Sequence, residues 1–205
     1  TMSESVQDDI TVRIVYEGRA AKVLLDNAKL QEIEDYYAKC ADQGTNDYQI
    51  EESKRANTKM NAILGDPDRL KSLASDFVEH YEKRVSEGAT VKGKAMFVCA
   101  SRPIAYDFFK EVIALRPEWA EIRVCEEGAS LTERAQKEIK PMERIKMIMT
   151  RGQDDPKVLY DLLGTQVYRK EMDRQFKSAK SNFKIAVIVD MWLTGFDVPF
   201  LDTLY

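Results

Sequence analysis

The chain reads as an α/β protein built on a mostly parallel sheet flanked by helices. Three observations predict it. Ile185 to Val189 is an apolar, β-branch-rich run ending at Asp190, and a strand without polar alternation is one covered on both faces. Ala95 to Ala100 (AMFVCA) has the same character. After residue 94 strand-like and helix-like stretches alternate, which is the order of βαβ units and a parallel sheet.

Taken in order, Thr1 to Asp9 is polar, and Thr11 to Tyr16 (TVRIVY) alternates as a strand does, with Glu17-Gly18-Arg19 as its turn and Lys22 to Leu25 as a second extended piece. Asp26 or Asn27 can cap a helix running to about Lys39, which Gly44 to Asp47 breaks. A second helix spans about Ile50 to Leu64. Asp66 before Pro67 starts a third, with Leu70, Leu73, Phe77, Val78, Tyr81 and Val85 spaced three or four apart. This divides the chain into lead-in strands (1–25), a helical segment (26–90) and an α/β part (91–205). In that part Ala95 to Ala100 is a strand, Ile104 to Leu115 a helix, Ile122 to Cys125 a candidate strand, and Glu126 to Ile139 has no clear pattern. Ile145 to Met149 is another strand, a helical stretch runs in pieces from Asp155-Pro156 to Lys180, and Asn182 turns the chain into its closing strand.

Composition narrows the function classes. With 44% hydrophobic and 32% charged residues, the 205 residues can bury a real core. A net charge of -4 neither proposes nor forbids a nucleic-acid partner. No run approaches 18 apolar residues and no signal-peptide layout opens the chain, so a cytoplasmic protein without a membrane partner is expected. Cys40, Cys99 and Cys125 are an odd number at wide spacings, which argues against a disulfide framework or zinc site, and Cys99 reads as a buried small hydrophobe. His80 is the sole histidine and reads as a solvated helix residue, so His-dependent triads and multi-histidine metal sites drop out. No metal ligands are assigned.

Two apparent motifs fail. Gly88 to Ala95 (GATVKGKA) almost spells the phosphate loop G-x-x-x-x-G-K-[ST], but Ala95 has no hydroxyl for Mg²⁺, and a helix precedes it and a strand follows where the reverse is needed. Asp190 imitates the strand-end aspartate that holds Mg²⁺, yet lacks an upstream phosphate loop to work with. It reads more simply as the residue that caps the following turn. Two other stretches are candidate sites. A strand ending in Ser101-Arg102 and opening a helix offers a hydroxyl, a cation and backbone amides to a phosphate; the residue types alone favour a plain cap and a surface arginine. In D-M-W-L-T-G-F-D-V-P, Gly195 permits close backbone approach to a ligand, and Asp197 two residues later can accept hydrogen bonds from ribose hydroxyls.

Residues 183 to 205 resemble motif V of superfamily-two helicases and translocases, and more closely the version in the motor (restriction, R) subunit of type I restriction-modification enzymes, which reads D-M-W-L-T-G-F-D-x-P. KAMFVCASRPIAYDFF (94 to 109) is similar to motif IV, and TVRIVYEGRAAKVLLD (11 to 26) looks like the segment after the first motor lobe of these subunits. Residues 40 to 90 and 126 to 180 match only as helical and variable filler. The resemblance implies a RecA-like second lobe of a double-stranded DNA translocase, truncated before motif VI. It implies that Gly195 and Asp197 meet ATP at its ribose side, and that Ser101, Arg102 and Thr194 lie against the nucleic-acid backbone. Common motif V sequences carry threonine at the position of Val189 and arginine at that of Thr194.

The same resemblance implies that ATP and Mg²⁺ serve the full-length protein, with their phosphate and metal ligands outside this chain. Modification and specificity subunits are the implied partners, alongside DNA. No phosphate loop, D-E-x-H box or nuclease signature is evident, and the chain stops at Tyr205 inside a second apolar stretch, so it reads as a piece of a larger type I deoxyribonuclease that is inactive alone. The competing expectation is a non-catalytic RecA-like or flavodoxin-like module that docks protein or nucleic acid.

Overall fold

The structure is a computed structural model that describes residues 15–18, 60–90, 92–125, 131–192 and 197–205. Residues 60–64 are helical and lead through Gly65 into α1 (Pro67–Ser86). Asp66 starts α1 as its spacing before Pro67 predicts: the carboxylate accepts from the amides of Asp68 and Arg69 at 3.1 and 3.0 Å, two donors the helix cannot satisfy itself. There follow β1 (Lys94–Val98), α2 (Arg102–Leu115), a 3₁₀ turn (Pro117–Ala120), α3 (Glu133–Glu138), β2 (Ile145–Ile148), α4 (Lys157–Leu163), α5 (Gln166–Lys177), β3 (Ile185–Ile188) and β4 (Leu201–Leu204).

The four strands form one sheet in the order β2-β3-β1-β4, and every pairing is parallel. The central register sets Ala95 beside Ile185 and Val98 beside Ile188. This is the α/β architecture expected of a RecA-like fold. Successive side chains of a strand point to opposite faces, and both faces are covered here. Ala95, Phe97, Ile145, Met147, Ile185 and Val187 pack under α1, α2 and α4. Met96, Ile148, Ala186 and Ile188 pack with Met172 and Phe176 of α5, and with Phe183 and Val198. A strand buried on both sides has no reason to alternate, which is why its sequence reads as a continuous apolar run.

Helix α1 shares this core. Phe77 is 1% exposed and meets Phe97, Phe108 and Tyr205 edge-on at ring separations of 5.2, 5.6 and 4.8 Å. The last part of the helical segment and the α/β part therefore meet in a single hydrophobic cluster. Lys94 and Lys184, at the amino ends of the central strands, are buried as well: the Lys94 amine donates to the Phe183 carbonyl, and that of Lys184 to the carbonyls of Lys92 and Ala179 at 3.1 and 3.2 Å. Cys99 is buried too, and burial pushes its thiol up to about 12.

Several expectations need correction. Ile122 to Cys125 is not a strand: only a bridge between Arg123 and Met142 forms, and Ile122 and Val124 are exposed. His80 is not a solvated residue, since its side chain is 13% exposed, its Nδ1 lies 2.9 Å from the Tyr205 hydroxyl and its Nε2 lies 3.6 Å from a Glu17 carboxylate oxygen. Of the alternating stretch 11–16 only Val15 and Tyr16 are described, and both are exposed and outside any strand. The extended piece 22–25, the helix at 26–39 and the helix from 50 as far as residue 59 lie outside the described residues. The stretch 126–139, which has no clear pattern, contains α3, capped by the Thr132 hydroxyl. Among the described residues no helix is long and apolar enough to cross a membrane.

Candidate functional site

In a parallel sheet the free backbone groups and connecting turns at the carboxyl ends of the strands are where ligands are met. Here β1 and β3, adjacent and in register, end together, with the Cys99 amide still bonded to the Ile188 carbonyl at 2.9 Å. The sheet thus brings Ser101 and Arg102, just past β1, beside the turn that leaves β3 at Asp190.

Ser101 is the residue before α2, extended at φ -154° and ψ 163°, and its hydroxyl makes no capping hydrogen bond. The helix start comes from Pro103 instead, whose fixed φ suits a first turn. The half-buried hydroxyl therefore sits at a strand end without being used by the helix. Arg102 is engaged differently. Its Nη1 donates to the Thr150 carbonyl at 2.6 Å, and its Nη2 pairs with Asp155 Oδ2. That same carboxylate oxygen accepts from the Gly152 amide at 2.6 Å. Burial raises the Asp155 carboxyl, but the Gly152 amide and the Arg102 guanidinium outweigh it and hold the group below the usual carboxylate range. Gly152 suits this close approach, because a Cβ there would stand 3.3 Å from Asp155 Oδ1. Arg151 lies beside them with its guanidinium 4.2 Å over the Tyr160 ring. Nothing in the sequence ties residue 102 to residue 155, and the simple reading of Arg102 as a free surface cation misses the pair.

On β3 the chain leaves the sheet through Asp190 and Trp192, both in the left-handed region at φ 54° and 63°. Non-glycine residues pay for that conformation, and such positions cluster at sites where geometry is over-determined. Trp192 stacks on Phe176 of α5 at a ring separation of 5.5 Å. Thr194 and Gly195 lie outside the described residues. The chain resumes at Asp197, which is exposed, followed by buried Val198. Met191, Trp192, Val198 and Leu201 all pack into the α5-side cluster, and Asp197, next to buried Val198, is exposed. An exposed carboxylate there fits a ligand hydroxyl as acceptor.

The near-phosphate loop fails in space as it does in sequence. Gly88 and Gly93 turn the chain at φ 66° each, α1 precedes, β1 follows, and Lys94 points into the core 5.1 Å over the Phe176 ring. The amine that would hold a phosphate is consumed by packing.

Residues 91–205 match the family model described as type I restriction enzyme subunit R domain 3. The whole chain is 32% identical over 205 residues to the type I restriction enzyme HindI endonuclease subunit of Haemophilus influenzae, of which it covers 17%. It is 29% identical over 197 residues, 96% of its length, to the putative type I restriction enzyme MjaIXP endonuclease subunit of Methanocaldococcus jannaschii, covering 16% of that protein. The chain thus spans about one sixth of the length of the curated relatives it matches. No solved structure matches it significantly.

Proposed function

The chain belongs to the type I restriction enzyme R subunit family, and from that premise we propose that it is the second RecA-like lobe of an ATP-dependent DNA translocase within a type I restriction endonuclease subunit. The observation that carries this reading is the side-by-side ending of β1 and β3: the motif IV turn at Ser101-Arg102 and the start of the motif V segment at Asp190 leave the same end of one parallel sheet. In this reading Ser101, Arg102 and Thr194 serve the DNA backbone, and Gly195 and Asp197 serve the nucleotide.

For the nucleotide, the fit rests on Asp197. Its exposed carboxylate is an acceptor-only group suited to paired ribose hydroxyls. Gly195 would let the backbone pass close to the same ligand. The Mg²⁺ and phosphate ligands are assigned to residues outside this chain, since Lys94 is buried and no other phosphate loop is present. ATP, when bound, supplies the free energy of movement. For DNA, the Ser101 hydroxyl and the turns around it offer donors to phosphate oxygens, contacts that position without reading sequence. The parent is proposed to work in a cytoplasmic complex with modification and specificity subunits, acting on double-stranded DNA.

The test is Asp197→Ala in the full-length subunit assembled with its partners. Losing charged hydrogen bonds to a ribose should weaken apparent ATP affinity about tenfold while DNA binding without nucleotide is retained. Unchanged ATP affinity and turnover would favour instead a docking module that never meets nucleotide.

A further inference from the structure

Arg102 and Asp155 lie 53 residues apart in sequence, on the turns that follow β1 and β2. These strands do not touch, because β3 runs between them. We propose that the Arg102–Asp155 pair is a clip that makes the two strand-end turns one rigid unit, so that Arg102 serves DNA engagement as a positioning residue rather than as a phosphate contact. The inference rests on the translocase reading above and refines the part Arg102 plays in it.

The geometry is specific to that role. The guanidinium spends one edge on the Thr150 carbonyl at 2.6 Å and another on Asp155, a forked arrangement a lysine could not make. Asp155 in turn closes its own turn through the Gly152 amide at 2.6 Å. The carboxylate is 9% exposed and the guanidinium 31%, so solvent screens the pair little on the carboxylate side. Thr150 and Asp155 are thus both bonded to Arg102 at the start of α2, and Gly152 is tied to the same carboxylate. Exposed Thr150 and the Arg151 guanidinium, stacked on Tyr160, are the groups the clip presents at the sheet edge.

A clip and a direct phosphate contact predict opposite results for Asp155. The assay is DNA-stimulated ATP hydrolysis by the full-length subunit in its complex, read as the duplex concentration giving half-maximal stimulation at several salt concentrations. For a clip, Arg102→Ala and Asp155→Ala each raise that concentration about tenfold, keep the wild-type salt slope, and do no more together than singly. The exchange Arg102→Asp with Asp155→Arg recovers part of the loss. The proposal is overturned if Arg102→Ala lowers the salt slope by about 1 while Asp155→Ala tightens DNA binding, because the guanidinium would then be touching a phosphate itself. It is overturned equally if the half-maximal concentration stays put and only the maximal rate falls with the folded fraction, the result of a purely structural bond. A wild-type complex with no DNA stimulation would sink the translocase reading and the clip with it; a stimulated wild type whose two variants part ways would sink the clip alone.

Discussion

Truncating Phe77 to alanine tests whether α1 is integral to the α/β core. The ring is 1% exposed and meets Phe97 of β1, Phe108 of α2 and Tyr205 after β4, all within 5.6 Å between centroids. Removing it forfeits the transfer of a buried phenyl group and leaves a cavity, a loss of about 4 kcal/mol in a site that cannot collapse. Rings fixed on three different elements are poorly placed to collapse, and each lost edge-on contact adds roughly 0.5–1.5 kcal/mol beyond area alone. For a chain of this size a loss of that order lowers Tm by about 12 °C. The assay is urea unfolding of the 205-residue chain beside Lys71→Ala, an exposed change on the same helix expected to shift stability by no more than about 0.5 kcal/mol. The m-value should be unchanged. A Phe77→Ala loss below about 1 kcal/mol would refute the reasoning, because α1 would then be resting on the domain rather than forming part of it.

Two further outcomes follow from local geometry. Gly164 joins α4 to α5 at φ 63° and ψ -176°, a region open essentially to glycine alone, and a Cβ there would fall 2.3 Å from Tyr168 Cδ1; Gly164→Ala should cost about 3 kcal/mol or more, measured by chemical denaturation. Asp155 has a folded pKa below its unfolded one, so the stability it contributes is fully present above the unfolded value of about 3.9 and is lost as pH falls through the folded value; Asp155→Asn should therefore be less stable than wild type at neutral pH, with the two curves converging below about pH 4 in a pH series of unfolding midpoints.

The parts of the fold that were legible in sequence are those where burial dictates residue type. Ile185 to Ile188 and Ala95 to Phe97 are buried on both faces, so their apolar runs announce a covered parallel sheet, and the spacing from Leu70 to Tyr81 marks one buried helix face. Ile122 and Val124 misled because their β-branched side chains suit a strand, while among the described residues their stretch makes only the Arg123–Met142 bridge. His80 misled because its ring meets Tyr205, 125 residues away, and Glu17, 63 residues before it. Strand order is invisible in the same way, since it depends on pairings between runs that look alike. For the candidate site, Ser101 and the Asp190 to Asp197 segment stood out by local pattern. The Arg102–Asp155 pair and the left-handed turns at Asp190 and Trp192 did not, because neither a distant partner nor a backbone torsion is written in residue type.

The strand order also dictates a sequence of events at the ribosome. β1 pairs only with β3 and β4, and its register partner for Ala95 is Ile185, some ninety residues later. At 5–20 residues per second that is a delay of roughly ten seconds, during which the apolar segment around Met96 and Phe97 has been synthesised ahead of both its partner strands. α1 and α2 flank it in the chain and pack on its Phe97 side, so a two-helix cradle can form from local contacts while the α5-facing side waits. Long-range parallel pairing is slow for this reason, and nascent chains stalled between residues 100 and 185 should be the ones most prone to aggregate or to recruit chaperones.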